Sequence, residues 1–285
     1  MAYYTGTAND LEALRQAIFT ACTGEGWTLA GDVLHKGGMY ARLQVVSGTL
    51  RLLGGTGIDG SNALTGAAGA VVQIGGLSIA YPLTYELFLF ASEVYVVVNY
   101  AVDRYQWCAW GKTTVQGTGG TGMWFGATHA SSLSSALAIT IDSGNTALTC
   151  GALFWYSFTG SSTSTVYINH GLDAGGWATG EPLEGSGRTA ADLMKLLPNA
   201  WNSEAVFVPA RLYLSRASNK YSLVAEAENF RHTRIDNHTP GEVITIGSER
   251  WKILPWHRKD SVNRNGGTSI QHSGTIGWAI RYEGP

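Results

Sequence analysis

The chain has 285 residues; 45% are hydrophobic, only 14% are charged, and the formal net charge is −2. A hydrophobic share of that size excludes global disorder, and the small net charge gives no long-range pull toward nucleic acid or anionic membrane. Ordinary soluble domains carry roughly 25% charged residues; the shortfall is filled here by Gly, Ser, Thr, Asn and aromatic side chains, a composition suited either to permanent contact with other subunits or to an extracellular β-rich domain.

The opening "MAYYTGTANDLEALRQ" has no basic stretch leading into an apolar run. No signal peptide is expected, and synthesis and assembly are expected in a cytoplasm. An amphipathic helix follows: Leu11, Leu14, Ile18 and Cys22 fall on one face at helical spacing. Thr7 or Asn9 is its expected cap, and Gly24 or Gly26 its left-handed stop. The next stretch, "GWTLAGDVLHKGGMYARLQVVSGTLRLLGG", reads as a strand meander, with Gly pairs and Ser47-Gly48 at the turns. Residues 56–76 are Gly- and Ala-rich without a clear period and read as a long loop. "YPLTYELFLFASEVYVVVNY" reads as two antiparallel strands joined near Ala91-Ser92-Glu93. Both of their faces are apolar, so both are expected to be covered.

Residues 113–122 form a second Gly/Thr loop, after which strand-like segments resume, one of them near 165–169. A short second helix is expected at 190–197, capped by Thr189 and ended by Pro198. "AVFVPARLYLS" and "YSLVAEAENFRHTRI" read as strands, "EVITIGSERWKILPW" as a pair turning at Gly247-Ser248, and "GTIGWAIRY" as another strand. The fold class is therefore mainly β: short antiparallel strands, sandwich or barrel-like, with the amphipathic N-terminal helix and the second short one. A division near residue 125 would give an N-terminal helix plus β-rich region (1–125) and a C-terminal β-rich region (126–285), unless the two form one domain.

Catalytic signatures fail on context. Gly55-x-Gly57-x-x-Gly60 has dinucleotide-fingerprint spacing, but a Gly/Ala loop stands where the helix must follow. "WGKTT" ends like a phosphate loop, yet Gln106 occupies the first glycine position. There is no G-x-S-x-G. His232, Asp236 and His238 could be imagined around a metal, at spacing that fits no standard site. Cys22, Cys108 and Cys150 show no metal or redox spacing and read as buried thiols. No cofactor and no metal is expected, and no apolar run of about 20 residues suggests membrane insertion.

One segment departs from the rest. Residues 248–282 gather four arginines, two lysines, two histidines and three tryptophans. Arg250, Lys252, Arg258, Lys259 and Arg264, interleaved with Trp251 and Trp256, have the ingredients of a nucleic-acid stacking groove. Strand alternation puts Trp251 and Ile253 on one face and Arg250, Lys252 and Leu254 on the other, which favours tryptophans that plug a core or an interface. The polar loop 257–268 could reach a neighbour through arginine–carboxylate bonds. The favoured reading is a subunit interface formed by Arg250, Trp251, Lys252, Trp256, His257, Arg258, Lys259, Arg264 and His272; a solvated hairpin is the plain alternative, and nucleic-acid contact is disfavoured.

The blocks "GWTLAGDVLHKG", "LGGTGIDG", "YPLTYEL", "TGMWFGAT", "LPNAWNSEAV", "IDNHTPGEVITIGSERWKILPWHRKD" and "HSGTIGWAIRYEGP" resemble a group of tail-associated virion structural proteins of tailed bacteriophages and prophages. The resemblance spans nearly the whole chain, and its blocks carry no catalytic role. It implies a non-enzymatic particle component of the tail, tail tip or baseplate. Its partners would be other copies of itself and neighbouring virion proteins, and its location the virion, assembled in the host cytoplasm. The alternative is a receptor- or glycan-binding tail-tip protein, with Trp177 in its Gly-flanked loop as the sugar platform and a host surface receptor as partner.

Overall fold

The computed structural model describes residues 1–75, 79–130, 153–154, 166–179, 207–218, 220–235, 237–257, 259 and 276–285. Strand β1 (Ala2–Ala8) precedes helix α1 (Leu11–Gly24), and β2 (Thr28–Ala30), β3 (Val33–Lys36), β4 (Met39–Val46) and β5 (Thr49–Gly55) form the meander. A ribbon of β6 (Gly57–Ile58) and β7 (Leu64–Thr65) leads to β8 (Val72–Gly75). Next come β9 (Leu83–Leu89), β10 (Glu93–Ala101), β11 (Arg104–Lys112), β12 (Met123–Ala127) and β13 (His129–Ala130). The remaining strands are β14 (Val166–Asn169), β15 (Trp177–Ala178), β16 (Val208–Arg216), β17 (Lys220–Arg234), β18 (Val243–Ile246), β19 (Glu249–Pro255) and β20 (Ile276–Arg281). The fold is mainly β, as the sequence indicates. The expected helix at 190–197 lies outside the described residues.

Among the described residues, three antiparallel sheets organise all the strands but the β6–β7 ribbon, and none of them closes into a barrel. The central sheet is seven-stranded, in the order β1-β9-β10-β11-β12-β14-β15. Its alternation is strict. Val94, Val96, Val98, Cys108, Trp110 and Phe125 enter one apolar cluster; Tyr95, Val97, Trp107, Ala109 and Trp124 enter another. Period-two strands buried on both faces require a layer on each side. On the first face lie α1 and the six-stranded sheet β13-β8-β5-β4-β3-β2; on the second lies the five-stranded sheet β16-β17-β20-β19-β18. The second cluster joins Trp107 and Trp124 to Trp256 and Trp278, so it spans the sequence on both sides of residue 125.

Helix α1 buries Leu11, Leu14, Ile18, Phe19, Ala21 and Cys22. Its cap is Asp10, whose side chain accepts from the Ala13 N–H at 2.7 Å. The expected caps are displaced because Thr7 belongs to β1, which pairs with β9 from Ala2↔Leu89 to Ala8↔Leu83. The helix stop is Gly26, at φ +78°. Ser47-Gly48 turns the β4–β5 hairpin with both φ values positive, the backbone a two-residue hairpin turn demands.

Residues 56–76 are not one long loop. β6 and β7 pair within the stretch, and β8 lies between β5 and β13 with Val72 and Ile74 fully buried. Four residues are too few to show alternation, so this strand leaves little periodic signal. The glycines of "LGGTG" serve packing. A Cβ on Gly54 would sit 2.5 Å from the Phe125 ring and 2.9 Å from Trp177, and one on Gly55 2.5 Å from Leu64.

Candidate functional site

The sequence points to the hairpin β18–β19 and the segment after it. Among the described residues of that stretch, the structure turns the three tryptophans, His257 and Lys259 inward and leaves Arg250 exposed. Trp251 and Ile253 join Ile235 and Ala279 in a small apolar cluster on the outer face of the five-stranded sheet, with Phe207 and Ile244 packed against it. The Arg231 guanidinium covers Trp251, 5.2 Å from the ring centre. On the opposite face Lys252 is held between the rings of Tyr3 (4.9 Å) and Tyr282 (5.4 Å). Its ammonium pairs with Glu86 at 2.5 Å and donates to the Tyr3 hydroxyl at 2.9 Å, while that hydroxyl donates to Glu86 at 2.8 Å. Burial alone would lower the Lys252 pKa; the bonds to Glu86 and Tyr3 outweigh it and hold the ammonium above its usual value.

Trp256 is fully buried and stacked on Trp278, with ring centres 4.2 Å apart and planes 28° from parallel. Around this pair Trp107, Phe230 and Tyr95 meet edge to face, an arrangement worth about 0.5–1.5 kcal/mol per pair beyond burial. His257 is buried; its carbonyl accepts from the Tyr105 N–H at 2.6 Å and its Nε2 lies 3.3 Å from the Tyr100 hydroxyl. Lys259 donates its side chain to the Ile235 carbonyl and its N–H to Asp103. Residues His257 and Lys259 are therefore docked on the chain's own β10–β11 hairpin.

Of the residues expected at an interface, Trp251, Trp256, His257 and Lys259 are buried within the chain and Lys252 is held in an internal tie. Arg250 is exposed, lying over Tyr282 at 5.1 Å and donating to the Gly284 carbonyl. Arg258, Arg264 and His272 lie outside the described residues. Trp177 is half-buried: its indole N–H donates to the Gly66 carbonyl at 2.8 Å and its ring meets Phe125 edge-on at 5.4 Å. Trp107, Trp110 and Trp124 are fully buried. His232 is buried against Phe230 and Trp256, and burial pushes its imidazole down to about 3; His238 lies 3.3 Å from Glu242; Asp236 is outside the described residues.

The first strand of the Gly247-Ser248 hairpin faces outward. β18 is the edge of its sheet, and Val243 and Ile246 are 37% and 45% exposed. The backbone bonds show which groups are open. Ile253 bonds with Gly241 and Glu242, and Arg250 accepts from Tyr282 of the β20 side. Ladder bonds alternate along an antiparallel pair, so Ile244 and Ile246 bond to β19, opposite Trp251 and Glu249. Val243 and Thr245 thus direct N–H and C=O away from the sheet. Proline, charge and bulges are the usual protections of an edge. The opposite edge of the same sheet, β16, carries Pro209, Arg211 and Arg216, whereas "VITI" has no such residue.

One polar group of the interior holds the sheet in place. Pro209 opposes Arg231 while the adjacent Ala210 opposes Ala227, so Glu228, Asn229 and Phe230 of β17 have no partner on β16. The carboxylate of Glu93, 1% exposed on β10, accepts from the Glu228 N–H (2.8 Å), the Asn229 N–H (3.0 Å), the Asn229 side chain (2.7 Å) and the Tyr95 hydroxyl (2.7 Å). Arg231 takes the carbonyls of Ala227, Glu228 and Phe230. The bulge is clamped by an anion on its N–H groups and a cation on its carbonyls.

No protein-family model matches the chain, and no curated protein matches it significantly. Among the described residues no group of three His, Cys, Asp or Glu side chains could hold a metal ion, and no helix is long and apolar enough to cross a membrane.

Proposed function

We propose that this chain is a structural subunit of a tailed-phage particle, of the tail, tail tip or baseplate, acting through contacts with copies of itself and with neighbouring virion proteins. The observation that carries the reading is the unprotected edge β18 on a charge-poor chain whose Trp251, Trp256 and Trp278 are taken up by its own apolar clusters. The sequence resemblance to tail-associated virion proteins points the same way. Rigidity comes from three stacked sheets sharing two apolar cores; repetition about a symmetry axis then multiplies modest interfaces. Mass spectrometry and cryo-electron microscopy of purified particles test it. The chain is expected as stoichiometric density in a ring or at the tail tip. Its absence from purified particles overturns the proposal.

A further inference from the structure

We infer that β18 pairs with β18 of a second copy of this chain, antiparallel, about a two-fold axis passing through Ile244. The inference deepens the assembly reading above and rests on it. The open groups are the N–H and C=O of Val243 and Thr245. A two-fold axis at Ile244 sets Val243 opposite Thr245 of the second copy and Thr245 opposite its Val243. Each pair is then a hydrogen-bonded one, and all the outward groups of both strands are satisfied together. An isologous contact must be self-complementary in this way.

Side chains agree with that register. Ile244 comes against Ile244 of the second copy, so the outer apolar cluster continues in one row from Trp251 through both isoleucines to the other Trp251. Glu242 falls opposite Ile246 of the second copy, and no like charges oppose. The exposed apolar surface of Val243 and Ile246 is the surface such a pair covers. Because residues 243–248 carry no charge, the association is expected to be insensitive to salt, unlike an interface steered by arginine and carboxylate.

The test uses the full chain. Sedimentation velocity across a concentration series is expected to show a reversible dimer, unchanged between low and high NaCl. Thr245→Pro removes an N–H that the subunit itself does not use, a position where an edge strand accommodates proline; it is expected to leave circular dichroism and melting intact and abolish the dimer. Cysteine scanning reads the register. Cα atoms of a non-bonded antiparallel pair lie about 4.5 Å apart, within disulfide reach. Ile244→Cys is therefore expected to cross-link under mild oxidation, and Val243→Cys and Thr245→Cys are not. A chain that stays monomeric at every concentration, or a dimer that survives Thr245→Pro, overturns the inference. If that monomeric chain is nonetheless present in particles, and Thr245→Pro is excluded from them, the edge takes a strand from a different virion protein; homotypic pairing then fails while the structural-subunit reading stands.

Discussion

Replacing Glu93 by alanine should remove much of the stability of this fold, and the size follows from the bonds lost. Glu93 accepts from four donors between the central and five-stranded sheets, three of them buried and the Glu228 N–H part-buried. Each buried donor left without a partner costs about 1–3 kcal/mol. Four at the low end give a loss of about 4 kcal/mol, a large part of the 5–15 kcal/mol typical of a folded domain. Water entering the cavity would recover some of this, so about 4 kcal/mol is the working figure. Glu93→Gln keeps one acceptor oxygen but turns an amide NH2 toward a backbone N–H; a loss of about 1–2 kcal/mol follows. Urea unfolding followed by tryptophan fluorescence and far-ultraviolet circular dichroism measures both. The same pair reads the charge. Burial holds the Glu93 carboxyl above its usual value despite its four donors. On raising the pH past the ordinary glutamate value, the unfolded chain releases its proton before the folded chain does. Stability therefore falls with rising pH until the folded value is passed, and Glu93→Gln removes that component. A Glu93→Ala midpoint within about 1 kcal/mol of wild type would refute the account of the clamp.

Lys252→Met should cost about 2 kcal/mol, less than a fully buried broken pair because Glu86 keeps the Tyr3 hydroxyl and some solvent; adding Glu86→Leu should restore most of the loss, and a double-mutant cycle in urea checks it. Gly54→Ala places a methyl 2.5 Å from the Phe125 ring and should cost about 1–3 kcal/mol by thermal melting; a neutral result would mean that β5 can shift away from β12. Trp177→Ala should lose about 3 kcal/mol, through the bond to Gly66 and the contact with Phe125. If glycan-array binding by the wild-type chain disappears in Trp177→Ala protein that remains folded, the receptor-binding reading replaces the structural one.

The parts of the fold legible in the sequence are those set by neighbours along the chain. "VYVVVNY" is apolar on both faces, and the structure covers both, making β10 the spine of the central sheet. The Gly247-Ser248 turn appears where its residues indicate, with Val243↔Lys252 through Ile246↔Glu249 paired across it. The misses come from partners remote in sequence. Tyr3 and Lys252 are 249 positions apart, and Glu93 and Asn229 136. Local reading sees Lys252 as an outward cation because nothing nearby announces Glu86. β1 was missed because its tyrosines share a strand with small residues, and its pairing with β9 is what fixes it. The separation of Trp251 and Ile253 from Leu254 follows from strand alternation; the exposure of β18 does not, because an edge differs from an interior strand only in what lies beside it.

β20 lies between β17 and β19, five-stranded sheet order placing it at the centre of its layer. It delivers Trp278 to the aromatic stack and Ile280 to the same core. A product truncated by early translation termination or proteolytic clipping before residue 276 would lack this wedge. It would expose the inner flanks of two strands and half of the indole pair at once, a lesion that chaperones and proteases recognise. The position of β20 thus makes the whole five-stranded layer conditional on the last strand in sequence: β17 and β19 meet only through residues 276–281.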